Sequence, residues 1–115
     1  MKLGGSCVMS FIIRTTEQFE KYFDKLDNSI RLQIIEKAQQ LKMNPYLGTP
    51  LGYDFFREKR VMNYRFYYLI YGDMSTILFM AISSKKDQQQ VIDRIQLLIP
   101  FYKEEIRKQI NASKF

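Results

Sequence analysis

Apolar residues along this chain switch between a helical and an alternating spacing, and each switch marks an element. Ser10 to Thr15 (SFIIRT) is a short β-rich run, a candidate first strand. Thr15 and Gln18 then stand at capping-box spacing. Phe19, Tyr22, Phe23 and Leu26 follow at i, i+3, i+4 and i+7, one helical face. Asp27, Asn28 and Ser29 are turn and N-cap residues. A second helix has Ile30, Ile34, Ala38 and Leu41 on one stripe with Ile35 beside it, and Asn44-Pro45 stops it. The pair predicts a helical hairpin.

Pro45, Gly48, Pro50 and Gly52 make NPYLGTPLGYD a loop. Beyond it the period becomes two. Phe55 to Val61, Tyr64 to Tyr71 and Thr76 to Ser83 are predicted strands, with turns at Met62-Asn63 and near Gly72-Asp73. Ser84 and Asp87 repeat the capping-box spacing before an apolar helical face of Val91, Ile92, Ile95, Leu98 and Ile99. Pro100 is expected to interrupt that helix. Phe101 to Ile110 forms a last one, and NASKF frays. The order β-α-α-β-β-β-α implies an α+β sandwich. Its N-terminal strand and helical hairpin pack on one face of an antiparallel meander, and the other face is left partly open.

A chain of 115 residues fits one domain. No apolar run approaches the ~20 residues of a membrane span. Residues 1–9 are expected to be a disordered leader, and Met9 is an alternative start to Met1. A single cysteine, Cys7, excludes an internal disulfide and a cysteine-ligated zinc site, and there is no histidine to activate it. No metal or small-molecule cofactor is expected, and the cytoplasm is the expected compartment. A net charge of +6 favours a polyanionic partner, although solubility alone also accounts for surplus cations.

That charge concentrates in KRVMNYRFYYLIYG, Lys59 to Gly72, which carries no acid. With Met62-Asn63 as the turn, Val61 pairs with Tyr64 and Arg60 sits opposite Arg65. Both arginines then share a face with Glu58 and Tyr67. Like charges opposite one another destabilise a strand pair. A phosphate gripped between two guanidinium groups relieves the repulsion. Tyr67 offers a stacking surface for a base. Arg57, Lys59 and Lys85 add candidate phosphate contacts, with Lys86 beside Lys85 after the last strand. Tyr64, Phe66, Tyr68 and Ile70 form the expected packing face.

The succession of NPYLGTPL, REKRVMNYRFYYLIYG and ISSKKDQQQVIDRI resembles the RelE/ParE toxin superfamily, over roughly residues 11–99. The resemblance implies a toxin domain at 10–99, a helical extension at 100–115, and a type II toxin whose partner is an acidic antitoxin. RelE-like members enter the ribosomal A site and cleave mRNA without metal, through attack of a 2′-hydroxyl on the adjacent phosphate. On that pattern Arg65 matches the arginine of the Tyr-Arg motif and Arg60 the basic position before the turn. Lys86, or its neighbour Lys85, matches the basic residue after the last strand. Glu58 stands where the family has a further basic residue, and a carboxylate there can act as general base. DQQQVIDRI lacks the tyrosine that the bacterial RelE type carries on its C-terminal segment. The catalytic set is therefore Arg65, Arg60, Glu58 and Lys86. The expected function is a ribosome-dependent mRNA endonuclease. The alternatives are a ParE-like gyrase poison and a degenerate toxin that only binds its antitoxin.

Overall fold

The computed structural model describes residues 10–113, with side chains through 101 and at 104 and 108. The expected leader at 1–9 lies outside the described residues. Strand β1 (Ile12–Thr15) leads into α1 (Glu17–Asp24) and α2 (Asn28–Met43). Strands β2 (Thr49–Tyr53), β3 (Phe56–Val61), β4 (Tyr64–Tyr71) and β5 (Thr76–Ser84) follow, and α3 (Gln88–Ser113) closes the chain.

The fold is α+β, as the pattern predicts, with differences of detail. The sheet has five strands in the order β1-β5-β4-β3-β2, and β1 runs parallel to β5. The loop NPYLGTPLGYD contains a 3-10 turn at Pro45–Leu47 and the edge strand β2, which pairs with β3 alone. Pro50 is tolerated there because an edge strand leaves one row of N–H groups unpaired. The N-cap of α1 is Thr16, one residue later than the capping-box spacing suggests, and its hydroxyl accepts from the Phe19 N–H. Pro100 does not divide the last helix, which is continuous from Gln88. Proline deletes one helical N–H, but its φ suits a helix.

The helical hairpin packs on one sheet face. Phe19, Ile34 and Leu41 meet Phe66, Tyr68, Ile70, Ile77 and Phe79 there. The opposite face is covered, not open. Val91, Ile92 and Ile95 of α3 lie on Phe56, Tyr67, Leu69, Leu78 and Met80. Strand β4 is thus buried on both sides, which its nearly unbroken apolar run YRFYYLIY requires.

The β2 edge is fixed by Tyr68 of β4 and Arg57 of β3. Tyr68 donates its hydroxyl hydrogen to the Pro45 carbonyl at 2.7 Å and accepts from the Gly48 N–H at 3.0 Å. A Cβ on Gly48 would lie 2.6 Å from the Glu58 carbonyl oxygen, so only glycine fits that approach. Burial pushes the Tyr68 hydroxyl up to about 12, against smaller lowering effects of the Gly48 N–H and Arg57. The folded state therefore holds this proton more tightly than the unfolded chain does. The resulting stability is complete below pH ~10 and is lost as pH rises through about 12, at most about 2–3 kcal/mol. Urea melts from pH 8 to pH 12 are expected to show this alkaline loss, with a smaller one in Tyr68→Phe. Equal slopes in the two proteins would refute it.

Candidate functional site

The hairpin register places the two arginines as the sequence predicts. Val61 pairs with Tyr64, Arg60 with Arg65 and Glu58 with Tyr67. The Met62-Asn63 turn closes with Met62 at φ 55°, a left-handed conformation that a side chain adopts at a cost. On the other side of β4, Arg65 pairs with Ser83 of β5. Alternation puts Glu58, Arg60, Arg65, Tyr67 and Ser83 on the α3 face of the sheet.

The two arginines differ in environment. Arg60 is exposed, and its Nε reaches the Met62 carbonyl only at 3.5 Å, the limit of a hydrogen bond. Arg65 is 8% exposed, and its Nη1 is buried with no hydrogen-bond partner. Neither forms a salt bridge among the described residues. A guanidinium is not deprotonated in a protein, so a buried cation stands unneutralised beside a second one.

Glu58, on the same face, forms no ion pair with either arginine among the described residues. Its carboxylate oxygens accept from Gln88 Nε2 at 2.9 and 3.2 Å, at the first residue of α3. Sequence reasoning missed Gln88. Three glutamines stand in a row there, and only the phase of α3 selects the one that reaches the sheet.

Other expected site residues fall elsewhere. Tyr67 is fully buried under α3, and its hydroxyl shares a 2.7 Å hydrogen bond with Ser83 Oγ. It cannot stack on a base. Burial foremost raises its pKa, so it stays a neutral phenol. Arg57 lies on the opposite sheet face, opposite Tyr68, with its donors already committed to the β2 segment. It is a structural clamp, not a free phosphate ligand. Lys59 alternates to that same face, opposite Phe66, away from the arginine pair. Lys85 and Lys86 are exposed in a 3-10 turn just beyond Ser84, which pairs with Tyr64. They stand at the arginine end of the sheet. No cluster of metal-binding side chains occurs among the described residues.

Comparison with known proteins adds the following. Residues 13–89 match the family described as the ParE toxin of type II toxin-antitoxin system, parDE. Among solved structures, the isolated Escherichia coli RelE toxin superposes with a TM-score of 0.61 at 15% identity, covering 75% of this chain and 99% of that one. The toxin–antitoxin complex RelBE of E. coli gives 0.61 at 15% identity, over 65% and 96% of the two chains. A RelBE complex from Mycobacterium tuberculosis gives 0.59 at 22%, over 66% and 99%. At these identities the likeness is one of fold. No curated protein matches in sequence. No helix among the described residues is long and apolar enough to cross a membrane.

Proposed function

Because the chain belongs to the ParE toxin family of type II toxin–antitoxin systems, we propose that it is a toxin that cleaves mRNA on the ribosome and is held silent by an acidic antitoxin. The observation that carries this is the Arg60–Arg65 pair, with the buried Arg65 Nη1 unbonded. Two arginines paired across the hairpin suit a phosphodiester whose negative charge grows in the transition state.

The reaction needs no more than the residues at hand. The 2′-hydroxyl loses its proton to Glu58, and the 2′-oxygen bonds to phosphorus. The bond from phosphorus to the 5′-oxygen breaks, leaving a 2′,3′-cyclic phosphate, and the departing 5′-oxyanion takes a proton from water to become a 5′-hydroxyl. Arg65 and Arg60 hold the non-bridging oxygens, and Lys86 supplies positive charge near the departing oxygen. Gln88 orients the Glu58 carboxylate without neutralising it. The antitoxin follows from the charge of +6 and from toxin–antitoxin complexes among the structures of like fold.

A second reading, a gyrase-binding toxin, is favoured by the description of the matching family and by the absence of a tyrosine from DQQQVIDRI. One paired experiment separates them. The chain is induced in cells, mRNA 5′ ends are mapped by primer extension, and gyrase supercoiling is assayed with purified protein. New 5′-hydroxyl ends within translated codons, with supercoiling intact, are expected. Growth arrest with intact mRNA and blocked supercoiling would replace the nuclease by the gyrase poison.

A further inference from the structure

On the helical-hairpin side, at the same end of the sheet, a hollow of about 580 Å³ opens between α1 and the start of β4. Glu17, Gln18, Lys21 and Tyr22 of α1 line it together with Lys25 at the helix end, with Tyr64 of β4 as the facing wall. Its size is within the ~300–1,000 Å³ range of small-ligand sites. The Tyr22 and Tyr64 rings meet edge to face, with centroids 6.4 Å apart and planes at 78°. Both rings are half-buried, anchored on the core yet open to the hollow. Burial, then the proximity of Tyr64 and Asp87, raises the Tyr22 hydroxyl, which therefore stays a neutral donor. Lys21 is bridged to Glu17 at 2.9 Å, but both are largely exposed, and such a pair exchanges readily for a phosphate. Lys25 stands one turn further on and forms no salt bridge among the described residues.

We propose that this hollow is a nucleobase subsite, in which Tyr22 and Tyr64 hold one base of the RNA whose phosphate lies between Arg60 and Arg65. The inference rests on the mRNA reading and extends it to a neighbouring nucleotide. Continuity comes from the chain itself: Tyr64 directly precedes Arg65, so one strand end presents the aromatic wall to one face and the guanidinium to the other. The turn residues Met62 and Asn63 are exposed, so that end is a rim over which a single strand can pass. An aromatic pair flanked by lysines suits a base together with its phosphate. The Gln18 amide, donor and acceptor at once, is placed to read a base edge.

The test uses ribosomes programmed with 2′-O-methyl mRNA, which lacks the attacking hydroxyl, carrying 4-thiouridine at successive positions of the A-site codon. After irradiation, cross-linked peptides are mapped. One position is expected to mark the α1 segment at Tyr22 or the β4 segment at Tyr64. Tyr22→Leu, which keeps the apolar anchor, is expected to weaken toxin binding to the programmed ribosome about tenfold, within the range of one base–aromatic stack. An abasic residue at the marked position should erase the difference between the variant and the unaltered protein. Cross-links at Arg60 or Arg65 with none at Tyr22 or Tyr64 would overturn the subsite and leave the nuclease reading standing. No cross-link to the toxin at all would overturn both. Should Tyr22→Leu fail to fold, the cross-link map of the unaltered protein decides by itself.

Discussion

Arg65→Gln is expected to abolish growth arrest by the induced toxin while leaving its melting temperature unchanged or raised. The argument compares what the side chain costs with what it gains. Arg65 sits 8% exposed on β4, the central strand of the sheet, opposite another arginine. Desolvating a cation costs several kcal/mol unless a partner repays it. Here Nη1 has no hydrogen-bond partner, and no carboxylate lies within salt-bridge distance among the described residues. Glutamine keeps much of the packing stem and removes the charge. Relief of cross-strand repulsion alone amounts to a few tenths of a kcal/mol. The function should fall far more steeply. A guanidinium that grips a reacting phosphate contributes about 2–4 kcal/mol to the transition state, a factor of roughly 10² to 10³ in rate. Thermal melts and induced growth curves of the same variant check both halves. A marked drop in melting temperature would make Arg65 a structural residue, and the toxicity of the variant would then say nothing about phosphate.

The split between what the sequence showed and what it hid follows the range of the interactions involved. Hairpin register is local. Once Met62-Asn63 is the turn, every pair from Val61–Tyr64 back to Glu58–Tyr67 follows, and the structure keeps them all. The face carrying Phe66, Tyr68 and Ile70 was equally legible. Tyr67 was misplaced for want of a covering element. Its neighbours Leu69 and Tyr71 on the same face are apolar too, and a strand apolar on both faces announces two layers. The parallel pairing of β1 with β5 spans most of the chain and leaves no local trace. Strand β2 was hidden because Pro50 and Gly52 are breakers in isolation, while its pairing depends wholly on β3. Arg57 and Lys59 were grouped with the arginine pair by charge, although alternation alone sends them to the other face. Gln88 is invisible without knowing where α3 begins.

Arg57→Ala should do the opposite of Arg65→Gln: it should unfold the protein, and lose function only for that reason. The two arginines are about equally buried, at 9% and 8% exposed, so burial does not distinguish them. Hydrogen bonding does. Arg57 Nη1 donates to the Gly48 carbonyl at 2.7 Å and the Tyr46 carbonyl at 3.0 Å, and Nε donates to the Asp54 carbonyl at 2.8 Å. Nη2 meets the Asp54 carboxylate at 2.6 Å, and the guanidinium lies 5.0 Å from the centre of the Tyr46 ring. The Asp54 pair contributes little, because that carboxylate is 81% exposed. The carbonyls matter more, since Gly48 is buried and alanine would leave its oxygen without this donor. The same turn anchors Tyr68, so the loss spreads from the β2 edge to the core. About 3 kcal/mol is expected, a large share of the stability of a small domain. Arg57→Lys should recover only part of it, because an ammonium cannot serve three carbonyls in the fixed plane of a guanidinium. Urea melts of Arg57→Ala and Arg57→Lys, each compared with Arg65→Gln, measure the order directly. An Arg57→Ala protein that melts with the unaltered chain yet no longer arrests growth would put this arginine back among the ligands of the phosphate.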